Sequence, residues 1–209
     1  TLPVAPLCST ISSSRSKAPS SLASTWSEMM GYLVRRWSVI ITIISIPVSS
    51  CYNHSMKITS SAFAENAKIP KIYAKLGGNQ CPPLEISDVP SDTKSLAIVC
   101  HDPDAPGRNG FYHWTVWNLP AKTTEITGES LPAGAVEGVT SWGQPGWGGP
   151  QPPFGTHRYQ FYAYALDTTL DLPDSTKPKE LIAALTPHII GQAVLTGKFG
   201  VLDILRREL

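Results

Sequence analysis

An excess of charge of either sign is missing from this sequence. Its 209 residues include 17 Lys and Arg against 16 Asp and Glu, a formal net charge of +1. Proteins that bind nucleic acid usually carry a basic face and a clearly positive balance, whereas the basic residues here are mostly scattered singly. Nucleic acid is therefore not an expected partner.

Cysteine in paired or metal-binding patterns is missing as well. The sequence forms no CxxC pair and no other zinc-type spacing from its four cysteines, which are Cys8, Cys51, Cys81 and Cys100. Neither a disulfide framework nor a structural metal is indicated. We expect Cys81 and Cys100 to be packed thiols, and we expect neither a metal nor a cofactor.

The sequence also lacks an apolar run of comfortable membrane-spanning length. The apolar stretch 37–48 follows two arginines and runs into Val48-Ser49-Ser50-Cys51, which resembles a bacterial lipobox. A basic start, a short apolar run and small residues are together typical of a signal peptide. Residues 29–51 therefore predict a cell-envelope lipoprotein that is lipidated at Cys51 and reaches the membrane only through that anchor. The alternative is a start at Met56 and a cytoplasmic location.

The remaining parts of the chain differ in composition. Residues 1–28 are rich in Ser, Pro and Ala and show no hydrophobic periodicity, which predicts a disordered or non-native leader. Residues 56–209 are numerous enough to bury a hydrophobic core without disulfides. We expect this second part to be a single globular domain.

Proline and glycine are abundant, with 19 and 16 residues respectively. Both interrupt chains rather than extend helices, and short aromatic and β-branched runs between them predict strands. The fold class is therefore mainly β, or α+β by strict count: a two-sheet antiparallel, Greek-key-like β-sandwich with one or two peripheral helices. The expected extended segments are 57–59, 69–73, 95–100, 111–119, 157–166 and 192–199, and the expected helix is 177–185, capped by Ser175 or Thr176.

Polar side chains stand where three of these strands meet Pro- or Gly-rich turns. The loop 142–155 is especially rich in both residues, which lets backbone approach a ligand closely. We expect the polar groups and this loop to converge on one pocket. The set consists of Asp102 and Asp104 after the first strand, His113 on the second, and His157 and Tyr159 on one face of the third.

The chemistry of this set favours binding of a small anion. Imidazoles, a phenol and inward-pointing loop amides are hydrogen-bond donors, while the carboxylates can accept from the imidazoles or hold a ligand amine. No nucleophile is evident, because Ser141 is not in a GxSxG elbow and Cys100 lies in an apolar run. The pattern therefore indicates binding rather than catalysis.

A second class of function stays open from the same residues. Two carboxylates and two imidazoles are able to bind a divalent ion, which makes a metal-dependent hydrolase the alternative. Its metal ligands would be Asp102, Asp104, His113 and His157.

Four motifs stand out in the sequence: DPDAP at 102–106, FYHWTVWNLP at 111–120, GGPQPPFGTHRY at 148–159 and HIIGQAVLTGKFG at 188–200. Together they resemble the phosphatidylethanolamine-binding protein family, in its short bacterial branch called Raf kinase inhibitor-like. The resemblance extends over residues 56–209. It departs from the family at Cys81-Pro82-Pro83-Leu84, where relatives usually read Ser-Pro-Pro-Leu.

The resemblance implies a two-sheet β-sandwich whose small pocket binds phosphate-type anions or phospholipid headgroups. It also implies a cis bond between Ala105 and Pro106, and regulation or inhibition of a kinase or protease partner through surface contacts. Carried over residue by residue, the anion pocket consists of Asp102, Asp104, His113, Pro152, His157 and Tyr159.

Overall fold

The computed structural model describes residues 56–128 and 130–205. The predicted leader 1–28 and the predicted signal peptide 29–51, with Cys51, lie outside the described residues. Eight strands run in chain order: β1 Lys57–Thr59, β2 Leu84–Ser87, β3 Ser95–Asp102, β4 Phe111–Pro120, β5 Glu125–Ile126, β6 Val136–Glu137, β7 Thr156–Leu166 and β8 Ile189–Gly200. The helices are α1 Pro178–Leu185 and α2 Val201–Leu205, with short 3-10 turns at Lys71–Tyr73 and Thr186–His188.

These strands form two antiparallel sheets. The smaller sheet has the order β1-β2-β5, and the larger one has the order β6-β4-β3-β7-β8. The prediction of a mainly β, two-sheet antiparallel sandwich with few helices is confirmed. In the part of the chain that the structure describes, no helix is long and apolar enough to cross a membrane.

The core is built on both faces of the larger sheet. All eight residues of β3 are buried, because this strand is covered on its two faces and therefore reads as a continuous apolar run. One face packs Trp114 and Phe161 against residues of the smaller sheet. The other face packs Trp117 and Tyr164 against Leu181 and its neighbours from α1. Strand period two, visible in the sequence of β7, correctly separates these two faces.

Three local expectations are wrong. Residues 71–73 form a 3-10 turn rather than a strand, because the Pro70 carbonyl accepts the Tyr73 amide at 3.1 Å. Helix α1 is capped not by Ser175 or Thr176 but by Glu180, whose carboxylate accepts the Lys177 amide at 3.1 Å. The described residues contain no cis peptide bond, so Ala105–Pro106 is trans.

The turn after β3 is shaped by a side chain instead. Oδ1 of Asp102 accepts the backbone amides of Asp104 at 2.9 Å and Ala105 at 3.1 Å. Such an Asx-type bond reverses the chain locally. Gly107, with a φ of 110°, then adopts a conformation that side chains disfavour. These features reverse the chain after β3 while the Ala105–Pro106 bond stays trans.

Candidate functional site

The site forms where strand β3 of the larger sheet ends. Because β3 lies antiparallel to both β4 and β7, the end of β3 is next to the beginnings of the other two strands. The register shows this: Asp102 pairs with Phe111, and His101 pairs with Gln160. Residues far apart in sequence, such as Asp102, His113 and His157, are thereby brought together.

A cavity of about 230 Å³ opens at this end of the strands. Five of the six predicted pocket residues line it, namely Asp102, His113, Pro152, His157 and Tyr159. Pro152 contributes apolar surface, while the other four contribute titratable groups that are almost completely buried. The sequence therefore identified most of the polar lining.

Asp102 holds the site together. This residue is only 2% exposed. Both carboxylate oxygens have partners: Oδ1 accepts the two turn amides, and Oδ2 lies 2.7 Å from Nδ1 of His157. Burial raises the pKa of this carboxyl, and the hydrogen bond from His157 opposes the rise. The carboxylate thus faces protein donors on both sides.

His157 lines the cavity, and one nitrogen of its ring pairs with Asp102. Because the carboxylate can only accept, Nδ1 carries the proton in this pair. Nε2 is fully enclosed and has no hydrogen-bond partner within the described part of the chain. The ring packs against Phe154, with centroids 5.6 Å apart. A buried polar atom without a partner is unusual in a folded protein, and it marks a place for a ligand.

His113 is fixed by the backbone. Its Nδ1 is hydrogen-bonded to the carbonyl of Gly148, and its ring lies 5.0 Å from that of Phe111 and 5.1 Å from that of Tyr159. Burial lowers the pKa of His113 to about 4, although backbone contacts with Gly148 and Gly149 act in the opposite direction. The ring is therefore neutral at physiological pH.

Tyr159 supplies a hydroxyl to the same cavity. The hydroxyl is fully enclosed and forms no hydrogen bond of regular geometry with another described residue, although the Gln151 backbone is near enough to influence its pKa. Burial, followed by the charge of Asp102, raises the pKa of this phenol. Tyr159 is therefore protonated and able to donate a hydrogen bond.

The expectation that Asp104 faces the pocket needs correction, since Asp104 is absent from the cavity lining. Its carboxylate accepts from Nε of Arg158 at 2.8 Å, from Nη2 at 2.6 Å and from the Arg158 amide at 2.9 Å. These contacts with Arg158 lower the pKa of Asp104. The reason is positional, because Asp104 stands in the turn beyond β3 and meets the exposed face of β7.

The loop amides expected to point inward are partly used elsewhere. The Gly148 amide donates to the His113 carbonyl at 2.9 Å, and the Gly149 amide donates to Oδ1 of Asn79 at 2.8 Å. A Cβ at Gly149 would lie 2.3 Å from the Tyr73 carbonyl oxygen. These glycines are therefore required by close packing, and their amides anchor the loop rather than face a ligand.

Aromatic residues at the cavity were missed by the sequence reasoning. Phe111 and Trp142 both line it, with ring centroids 4.9 Å apart, and Nζ of Lys75 lies 4.8 Å from the centre of the Trp142 ring. Phe111 was detectable, because strand period two places it on the face of His113. Trp142 lies in an irregular loop, and no local pattern indicates where it points.

The ligand set of the hydrolase alternative is not gathered around one point. Asp104 faces Arg158, and within residues 56–128 and 130–205 no group of three or more His, Cys, Asp or Glu is placed to hold a metal ion. The cavity instead offers two imidazoles, a phenol and a carboxylate that is already engaged. This donor set suits a small polar ligand.

Comparison with known proteins adds independent information. Residues 59–200 match the family model described as phosphatidylethanolamine-binding protein. A protein named UPF0098 from Methanothermobacter thermautotrophicus is 39% identical over 149 residues, covering 69% of this chain and 98% of the relative. The crystal structure of CT736 from Chlamydia trachomatis, a phosphatidylethanolamine-binding protein homologue, is similar with a TM-score of 0.65 at 38% identity, covering 69% of this chain and 96% of that one. Escherichia coli YbcL is similar with a TM-score of 0.67 at 33% identity, covering 70% and 98%.

Proposed function

Because this chain belongs to the phosphatidylethanolamine-binding protein family, we propose that its cavity binds a small phosphate-type anion, either free or as part of a phospholipid headgroup. The observation that carries the proposal is the enclosed, unpartnered Nε2 of His157 in the cavity wall. An anion oxygen placed there gives this nitrogen a partner. Tyr159 adds a second enclosed group in the same cavity.

The size of the cavity agrees with a small ligand. Its volume of about 230 Å³ is below the range of roughly 300–1,000 Å³ that is common for pockets holding drug-sized molecules. A phosphate group with a short substituent fits such a space, whereas a whole phospholipid does not. The acyl chains of a bound lipid would therefore remain outside.

The position of Asp102 decides whether its charge opposes an anion. A carboxylate beside the ligand would repel it, whereas a carboxylate behind an imidazole compensates the positive charge of that ring. Asp102 contacts Nδ1 of His157 at 2.7 Å and two backbone amides. It lies behind the ring, which supports anion binding by the imidazolium form.

We also propose that the protein acts by binding rather than by catalysis. The Ser141 hydroxyl accepts the Tyr112 amide at 2.9 Å and is not part of the cavity lining. The Cys100 thiol is fully buried, and burial raises its pKa, which makes it a poor nucleophile. Neither group is placed to attack a bound ligand. Regulation of a kinase or protease partner stays a prediction from the resemblance.

Calorimetric titration with phosphoethanolamine at pH 6 tests the proposal. We expect binding, because the His157 ring in front of Asp102 and the Tyr159 side chain line the cavity that would hold the phosphate oxygens. Replacing His157 by Ala is expected to weaken binding by at least about tenfold. His188 is the matched control, since its Nδ1 also pairs with an aspartate, Asp167, at 2.9 Å, but on the exposed surface.

The His188→Ala variant is expected to bind as the unaltered protein does. Full binding by His157→Ala would remove His157 from the site and contradict the proposal.

A further inference from the structure

The two imidazoles of the cavity have one feature in common. In each ring Nδ1 is bonded to a group that only accepts hydrogen bonds, the Gly148 carbonyl for His113 and the Asp102 carboxylate for His157. Nδ1 therefore carries a proton in both rings. As long as a ring is neutral, its Nε2 bears a lone pair and is an acceptor, which is the opposite of what an anion oxygen needs.

The rings differ in what stands behind Nδ1. Behind His157 is a carboxylate, which compensates an imidazolium, so that Nε2 of His157 becomes a donor when an anion binds. Behind His113 is a neutral carbonyl, and its ring is enclosed by Phe111 and Tyr159. Within the part of the chain that the structure describes, no carboxylate is among the groups that act on His113. One imidazole is thus equipped to donate, and the other keeps its lone pair.

The charged and titratable groups around the two rings support this division. Among residues 56–128 and 130–205, the acidic group that contacts one of these rings is Asp102, which contacts His157. Asp104 is farther out and is paired with Arg158 at 2.6 Å. His101, a further neighbour of His113, is itself buried, and its Nε2 is bonded to the Asn109 carbonyl at 2.8 Å. The titratable groups beside the rings are His101 and Asp102 on β3 and Tyr159 on β7.

We infer that the cavity selects an oxyanion that still carries a proton, as a phosphate or phosphonate monoanion does, over a fully ionised oxyanion of the same shape. His157 and Tyr159 donate to the ionised oxygens, and Nε2 of His113 accepts the hydroxyl of the ligand. This inference rests on the proposed function, because it specifies the class of anion that the same site takes. His113 is then the specificity-determining residue.

A fully ionised anion meets the wrong partner at His113. A sulfate or sulfonate oxygen would face the lone pair of Nε2. Because both atoms are acceptors, no hydrogen bond would form between them and they would repel each other. Buried donors and acceptors without partners discriminate strongly between ligands of the same shape. The cavity therefore distinguishes ligands by one hydrogen atom.

Methylphosphonate and methanesulfonate provide the test. Both are tetrahedral and carry a single negative charge at pH 6, but only methylphosphonate has a hydroxyl group. By calorimetry with the intact protein, we expect methylphosphonate to bind at least about tenfold more tightly. Equal affinity for the two anions would overturn the inference and leave the proposed function standing. Failure of both anions and of phosphoethanolamine to bind would instead contradict the proposed function.

Two further measurements examine His113 directly. The ¹⁵N chemical shifts of the unaltered protein at pH 6 are expected to show a protonated Nδ1 and an unprotonated Nε2, and a protonated Nε2 would overturn the inference. The His113→Gln variant presents either an amide oxygen or an amide nitrogen to the ligand. We expect its preference for methylphosphonate to fall to within about twofold, whereas His188→Gln keeps the full preference. A preference that survives in His113→Gln would also count against the inference.

Discussion

Asp102 and Asp104 show how much two residue positions change the role of a carboxylate. Asp102 is the last residue of β3 and is almost fully buried, with donors on both oxygens. Asp104 follows in the turn, and its side chain is 29% exposed and paired with Arg158. The first carboxylate supports the cavity from behind, and the second connects the turn to the outer face of β7.

These positions predict different effects for the same substitution. Asp102→Asn keeps an oxygen for the turn amides but removes the charge behind His157, so we expect phosphoethanolamine to bind at least about tenfold more weakly at pH 6. Asp104→Asn is the matched control, because its ion pair with Arg158 is on the surface, where such pairs contribute little. We expect its affinity to stay within about twofold of the unaltered protein. Calorimetry on both variants checks this, and similar losses would refute the assigned positions.

The sequence predicts which residues belong to this site better than it predicts which way their side chains point. His157 and Tyr159 were predicted on one face of β7 because period two fixes the facing side in a strand. His113 reaches the same cavity at a register shift between β3 and β4, where it stands between the paired residues Tyr112 and Trp114 and period two is interrupted. Asp104 was wrongly placed because the strand ends at Asp102. Beyond it, direction depends on Arg158, 54 positions away, which no local pattern reveals.

At the scale of elements, the long strands of the larger sheet were readable from the sequence, whereas the two shortest strands were not. Strands β3, β4 and β7 contain long apolar or alternating runs, so their existence follows from the sequence. Strands β5 and β6 contain two residues each, too few to show any period. They form only because a partner strand in the sandwich offers free backbone groups.

The loop between β6 and β7 was predicted to border the pocket, and residues of it line the cavity, but its packing was not predicted. The amides of Gly148 and Gly149 are used by His113 and Asn79, and Pro150 accepts the Lys75 amide at 3.0 Å. The loop is therefore clamped between β4 and the segment after Tyr73. These contacts hold the cavity wall in position against the sheet.

Two alanine substitutions in this loop are expected to have different consequences. A Cβ at Gly149 would lie 2.3 Å from the backbone oxygen of Tyr73, whereas a Cβ at Gly148 would lie 2.2 Å from the side chain of Trp142. Backbone yields less easily than a half-exposed side chain. We therefore expect Gly149→Ala to lower the free energy of unfolding by about 1–3 kcal/mol, with a smaller loss for Gly148→Ala.

Urea denaturation measures both losses. Because Trp142 lines the cavity, Gly148→Ala is expected instead to weaken binding of phosphoethanolamine. A larger loss of stability for Gly148→Ala than for Gly149→Ala would contradict this account of the loop.

For the whole molecule, the sandwich explains why polar groups are buried at the end of β3. Both faces of the larger sheet are covered by apolar residues, so the interior at the end of β3 is poor in water. Burial there lowers the pKa values of His101 and His113, which favours their neutral forms. The conditions that prepare the cavity for a ligand therefore also make the folded state sensitive to acid.

The acid sensitivity has a definite sign and window. The pKa of His113 is about 4 in the folded protein and about 6.5 in an unfolded chain. Above pH 6.5 the ring is neutral in both states, so it adds no pH dependence. Between about pH 6.5 and 4 the unfolded chain binds a proton that the folded protein excludes, so the free energy of unfolding falls with falling pH, by about 3 kcal/mol in total.

Two other buried groups modify this dependence. Burial also lowers the pKa of His101, which acts in the same direction as His113. Burial raises the pKa of Asp102, so the folded protein binds that proton more readily than the unfolded chain, and acidification through its range partly offsets the loss. Comparing variants therefore isolates His113 better than the absolute curve does.

Urea denaturation in phosphate-free buffer at pH 7, 6 and 5 measures the effect. The free energy of unfolding is expected to depend less steeply on pH for His113→Gln than for the unaltered protein. His188 is exposed and bonded to Asp167, so His188→Gln is expected to retain the steep dependence. If His113→Gln loses stability with acid as steeply as the unaltered protein, burial of a neutral His113 is not the source of the effect.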